Sequence, residues 1–147
     1  MNDALLRETE TFLHTQIPLT QAMGVTVERW DGQQLILQAP LEPNHNHLGT
    51  AFGGSLSALA TLAGYSLLWQ MLGDREAHIV IRDSSIRYRH PVRGVLRAFC
   101  QKPGEEEWQA FLQKWSDTGR AHLTLRATIE HEEKVCVEFE GCFVAIR

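Results

Sequence analysis

Residues 55–72, SLSALATLAGYSLLWQML, contain no Asp, Glu, Lys or Arg, and in a helix their apolar side chains would fall on nearly every side. A surface helix shows a single apolar stripe, so a helix that is apolar all round has to be enclosed. A bilayer is one enclosure, since about 20 apolar residues suffice to cross it. Here Ser55, Ser57, Thr61, Ser66 and Gln70 dilute the hydrophobicity and no basic flank marks a cytoplasmic end, which argues against a membrane. The chain must wrap this helix in its own sheet, and one sheet covers only part of it. A second copy of the chain is expected on the remaining side, giving a homodimer that leaves room for a dimer of dimers.

The flanking sequence supplies the wrapping. Leu5, Leu6, Phe12, Leu13 and Ile17 recur at helical spacing behind a cap at Asn2 or Asp3, and Pro18 stops the pattern. Val25 and Val27, then Leu35, Leu37 and Ala39, alternate with polar neighbours around an Asp31-Gly32 turn, which reads as a hairpin. Residues 77–90 and 95–101 read as extended, with Pro91 and Gly94 between them. Trp108, Phe111, Leu112 and Trp115 predict a helix over 105–115, ended by Asp117-Thr118-Gly119. Ala121, Leu123, Leu125, Ala127 and Ile129 face one way, and Val135, Val137, Phe139 and Phe143 repeat the period after a charged turn. The class is α+β: a curved antiparallel sheet around one long buried helix, with an N-terminal helix at its edge. A length of 147 residues suits one domain spanning 1–147.

A net charge of −4 leaves no concentrated basic surface of the kind that displaces counterions from nucleic acid, so no such partner is expected. Cys100, Cys136 and Cys142 form an odd set without C-x-x-C spacing, which predicts buried structural thiols in a reducing cytoplasm. The start Met1-Asn2-Asp3-Ala4 carries an acid where a secretory leader would be basic, so export is not expected.

Between Glu42 and Asp74 there is no carboxylate at all. The loop that opens this stretch, Pro43-Asn44-His45-Asn46-His47-Leu48-Gly49-Thr50-Ala51-Phe52-Gly53-Gly54, is rich in turn formers and runs straight into the apolar helix. Gly53 and Gly54 either allow a tight loop-to-helix junction or let a ligand approach the free N–H groups of the helix's first turn. Asn46 either closes an Asx turn or donates its neutral amide to an oxyanion. His45 and His47 have no further ligand at matched spacing, so no metal site is expected. Arg82, Arg87, Arg89 and Arg93 either bind a phosphate or an acidic partner in forked geometry or keep a strand edge solvated.

The spacing Asn46-x-x-Gly49-x-x-Phe52-Gly53-Gly54 followed by Ala58-Leu59-Ala60-Thr61 resembles the hotdog-fold superfamily. In its phenylacetyl-CoA-thioesterase-like branch a His stands at the position of Phe52 and a helix carboxylate at that of Thr61, which puts ordinary hydrolysis in doubt here. A longer match, through Pro43, Asn44, Asn46, Gly49, Thr50, Ala51, Phe52, Gly54, Ser55 and Leu56, resembles the family of the YiiD C-terminal hotdog domain. That resemblance implies malonyl-[acyl-carrier-protein] decarboxylase activity, with thioester hydrolysis and noncatalytic acyl-thioester binding as the alternatives.

The substrate implied is an acyl group on an acyl carrier protein or coenzyme A, which brings its own phosphopantetheine thioester, so no protein cofactor is expected. Asn46 and the Gly54 or Ser55 amides are then the expected oxyanion donors, with Thr50 or Thr61 orienting the carboxylate or a water. Ala51, Phe52, Gly53 and Leu56 form an uncharged substrate pocket. The strand that carries Arg82, Ser85, Arg87 and Arg89 is expected beside the bound thioester.

Overall fold

The computed structural model describes residues 3–147; the cap expected at Asn2 lies outside them. Helix α1 (Asp3–Gln16) opens the chain and stops ahead of Pro18, whose ring disfavours helix in the residue before it. Asp3 lies in the first turn of that helix. A short helix, α2 (Leu19–Met23), follows and was not foreseen, because five residues are too few to show a period. Strands β1 (Thr26–Trp30) and β2 (Gln34–Ala39) form the expected hairpin, and Val25 lies just ahead of it. A helical turn, α3 (Leu41–Asn44), leads through the loop to α4 (Gly53–Leu72). Then come β3 (His78–Tyr88), β4 (Leu96–Gln101), α5 (Glu105–Thr118), β5 (Arg120–His131) and β6 (Lys134–Ile146).

All strand pairs are antiparallel, and the sheet order is β1-β2-β4-β5-β6-β3. This sheet and α4 make the antiparallel sheet around a buried helix that the pattern predicted, the hotdog fold that the resemblance implied. Leu56, Leu59, Leu62, Leu67 and Leu68 of α4 are buried with Ala60, Ala63 and Gly64 against the inward residues of the sheet. Each buried leucine contributes about 2 kcal/mol, so the helix is held chiefly by what encloses it. Ser57, Ala58, Thr61 and Tyr65 remain partly open along one side of α4. No helix among the described residues is long and apolar enough to cross a membrane.

Ala121, Leu123, Leu125, Ala127 and Ile129 point inward as read from their alternation. Val135 does not: a register shift at Ile129/Glu130 turns it out, leaving it 40% exposed, while Cys136 turns in. Cys100, Cys136 and Cys142 are free and buried. Burial, which penalises the thiolate, pushes the Cys100 thiol up to about 12.

Candidate functional site

The loop before α4 is built by asparagine side chains bonding to backbone. Asn44, buried, donates from Nδ2 to the carbonyls of Met23 and Pro40, both at 2.8 Å, and so ties the loop to the end of α2 and to β2. Its own carbonyl accepts the Phe52 amide at 2.8 Å. Asn46 closes the next turn: Oδ1 accepts the amides of Leu48 (2.8 Å) and Thr50 (3.1 Å), and Nδ2 donates to Thr50 Oγ1 at 2.9 Å. Of the two roles open to Asn46 from sequence, the Asx turn is the one its side chain performs within the single chain. One Nδ2 hydrogen is left for another acceptor. His45 and Ala51 pair across the loop, and Gly49, with φ of 77°, takes the left-handed conformation that suits glycine.

This closure sets Phe52 at the N-cap of α4. Phe52 offers no side-chain cap, and the first amide of the helix to find its intrahelical carbonyl is that of Leu56, bonded to Phe52 O at 3.0 Å. The amides of Gly53, Gly54 and Ser55 have no acceptor within the helix and carry the positive end of its dipole. The Phe52 ring, 56% exposed, lies over Gly54 where a Cβ would stand.

Beside the helix start is an open cleft of about 340 Å³, lined by Ala51, Gly53, Leu56, Tyr88, Arg89, His90 and Pro91. Its wall at the end of β3 is tied to the loop, since the Ala51 amide donates to Val92 O at 2.8 Å. The Tyr88 hydroxyl donates to Gly53 O at 3.3 Å. No wall residue is a carboxylate; the nearest acid that bonds one is Glu138, which takes the Arg89 guanidinium in an ion pair.

Of the predicted residues, Ala51, Gly53, Leu56 and Arg89 line this cleft, and Phe52, Gly54 and Ser55 stand at the adjoining helix start. Asn46 and Thr50 sit behind it, bonded to each other. Thr61 lies further along α4 with its hydroxyl donated to Ser57 O at 2.8 Å. Ser85 and Arg87 are not brought here. They pair across the sheet with Glu140 and Glu138, on the face turned away from α4, whereas Ser84, Ile86 and Tyr88 share the inward face with Gly141, Phe139 and Val137. Arg82 lines a different groove, beside α5. No group of three or more His, Cys, Asp or Glu among the described residues is placed to hold a metal ion.

Tyr88, His90 and Pro91 were not singled out. The signal available was position: Tyr88 ends β3, the strand already suspected, with His90 and Pro91 just beyond it, and an alternation count from Ile86 would have put Tyr88 inward.

Comparison with known proteins gives one family model, described as "Putative thioesterase (yiiD_Cterm)", matching residues 6–147. Among solved structures, a protein of unknown function from Chlorobaculum tepidum TLS is 34% identical with a TM-score of 0.91, over 99% of this chain and 96% of that one. A Shewanella oneidensis protein described as a "putative thioesterase" is 29% identical with a TM-score of 0.87, over 99% and 100%. A thioesterase from Haemophilus influenzae, 18% identical with a TM-score of 0.67 over 88% and 82%, shares the fold.

Proposed function

Because the chain belongs to the family described as "Putative thioesterase (yiiD_Cterm)", we propose that it acts on an acyl thioester, as a malonyl-[acyl-carrier-protein] decarboxylase that leaves acetyl-carrier protein to start fatty acid synthesis. One observation carries the reading: three uncapped amides at the start of α4 adjoin a cleft whose walls hold no carboxylate. Hydrolysis needs a base or nucleophile at the thioester carbon. Decarboxylation needs donors at its oxygen and nothing that repels the malonyl carboxylate.

With the thioester oxygen against the amides of Gly53, Gly54 and Ser55, the bond between the α-carbon and the carboxylate breaks. Its electron pair moves into an enolate on that oxygen, and CO2 leaves. Preorganised N–H donors lower the cost of the developing charge. The apolar walls Ala51, Leu56 and Pro91 favour the neutral gas over the carboxylate it came from. Arg89, already bonded to Glu138, does not hold the carboxylate back. A water, or the Tyr88 hydroxyl, returns a proton to the α-carbon. The substrate brings the phosphopantetheine arm, and the reaction calls on no further cofactor.

A dimer completes the site in this reading. Among the described residues strand β3 is bonded only to β6, and its free edge exposes Val80, Ile81 and Tyr88, at 50%, 37% and 51%. An unpaired apolar edge of this length calls for a partner. A second copy pairing there would cover Tyr88 and close the cleft. Buried reduced thiols suit a cytoplasmic setting.

Hydrolysis is the second reading, favoured by His90 in the cleft wall, an imidazole able to activate water. Mass spectrometry of malonyl-carrier protein and malonyl-CoA incubated with the chain separates the two. Acetyl-thioester and CO2, formed equally well by His90→Gln, support decarboxylation. Malonate with free thiol, lost in His90→Gln, supports hydrolysis and overturns it. Saturable binding without turnover leaves a noncatalytic acyl-thioester binder.

A further inference from the structure

A second groove lies apart from the cleft, where the sheet opens. Strand β4 pairs with β5 through Ala98, Phe99 and Cys100, so residues 120–126 of β5 have no strand on that side among the described residues. Helix α5 fills the gap with Phe111 and Trp115, both buried. Its flank, Glu107, Ala110 and Lys114, faces outward residues of the sheet, His122 and Thr124 of β5 and Val144 of β6, together with Arg82 at the register shift in β3. The space between is about 480 Å³, and Ala110, Phe111, Ala121, Leu123 and Val144 make up its apolar lining at the edge of β5. Val144 is only 4% exposed although it lies on the outward face, so this part of the groove is apolar in depth.

Its rim is cationic. Lys114 and Arg120 have no carboxylate partner among the described residues, and Arg82 is paired with Asp83 at 3.3 Å. The one acid on the rim is Glu107. Ligand sites are concave, largely apolar and oriented by a few polar groups. A largely apolar groove that also carries two cations without a carboxylate partner fits an amphiphile with one negative head; a neutral or cationic head would leave those charges unanswered.

We propose that this groove is a second binding site, for a linear alkyl carboxylate, with the chain along Ala110, Phe111, Leu123 and Val144 and the head group at Lys114 and Arg120. The site is independent of the cleft at α4 and of the reaction assigned to it. Arg82, which the sequence pattern grouped with the thioester strand, belongs to this groove.

Calorimetric titration of the full chain with decanoate tests it. Saturable binding is expected, with decanol and decyltrimethylammonium at least about tenfold weaker; tenfold corresponds to about 1.4 kcal/mol. Lys114→Glu with Arg120→Glu should weaken decanoate by at least about tenfold, and Ala110→Trp, an exposed position on the α5 flank, should abolish binding by filling the groove. The head-group comparison needs no variant and stands even if one misfolds. Failure of decanoate to saturate, equal binding of the three head groups, or decanoate binding unchanged in both variants overturns the proposal. So does light scattering in which Ala110→Trp breaks an assembly of the chain while Val80→Lys does not, which would put a second copy on this face in place of decanoate.

Discussion

Gly54 and Gly64 stand on the same helix, and a methyl group on either would meet an aromatic ring, yet the consequences should differ. At Gly54 the ring is that of Phe52, exposed and free to swing into solvent. Gly54→Ala should leave stability unchanged or raise it by about 1 kcal/mol through helix propensity, while turnover falls because the methyl lies at the helix-start amides. At Gly64 the ring is that of Phe143, fully buried, and its Cε2 and Cζ would stand only 2.6 Å from an added Cβ. Gly64→Ala should therefore destabilise by about 1 to 3 kcal/mol in urea denaturation. Equal stability of the two variants would contradict this packing. Cys100 supplies a pH test. Its thiol stays protonated in the folded chain up to about 12, whereas an unfolded thiol ionises near 8.5, so its contribution is complete below about 8.5 and is lost as pH rises toward about 12. Cys100→Ala should flatten the fall in melting temperature above about pH 8.5; an identical alkaline slope would rule the thiol out as its source. Asn46 shows the limit of reading single residues. The sequence names a loop asparagine, but an Asx turn and an oxyanion donor require the same residue type, and only the bonds to Leu48 and Thr50 tell which way its amide turns.

Among the elements, the β5–β6 hairpin is joined through Glu132 and Glu133, with φ of 52° and 62°, while His131 pairs with Lys134. Two left-handed residues match the primed turns that favour Asn-Gly, and each L side chain there costs about 1 to 2 kcal/mol. Glu132→Asn with Glu133→Gly should raise stability by about 1 to 2 kcal/mol, read as a higher denaturation midpoint at unchanged slope. A lower midpoint would mean that the glutamates make compensating contacts. The long elements were legible because their periods run for many residues: α4 from its charge-free circumference, β5 from five inward residues in alternation. α2 was too short for any period, and Val135 was misread because alternation does not register a bulge. The faces of β3 were illegible for another reason. As an edge strand it exposes Val80 and Ile81 alike, so no apolar alternation marks which side Ser85 and Arg87 take.

At the scale of the whole molecule, one chain leaves α4 partly open and β3 half-paired. The account predicts a dimer in solution by light scattering, and Val80→Lys with Ile81→Lys, two positions on β3 outside the cleft, should shift it toward monomer and lower turnover together, because like charges brought together on a shared edge repel. A fully active monomer would separate the site from assembly. The loop and helix start of the site were legible from one continuous motif. The opposite wall was not, because Tyr88, His90 and Pro91 reach the cleft only through the sheet order that places β3 beside the start of α4.

The central claim is that the uncapped amides of Gly53, Gly54 and Ser55 hold the thioester oxygen. Isotope-edited infrared spectroscopy of a bound acetyl thioester, labelled with carbon-13 at its carbonyl, tests this at the bond concerned. Hydrogen bonds from preorganised donors polarise the carbonyl, so its stretch should fall below the frequency in water, and the fall should shrink in Gly54→Ala. A carbonyl stretch unchanged on binding, or lowered equally in that variant, would contradict it.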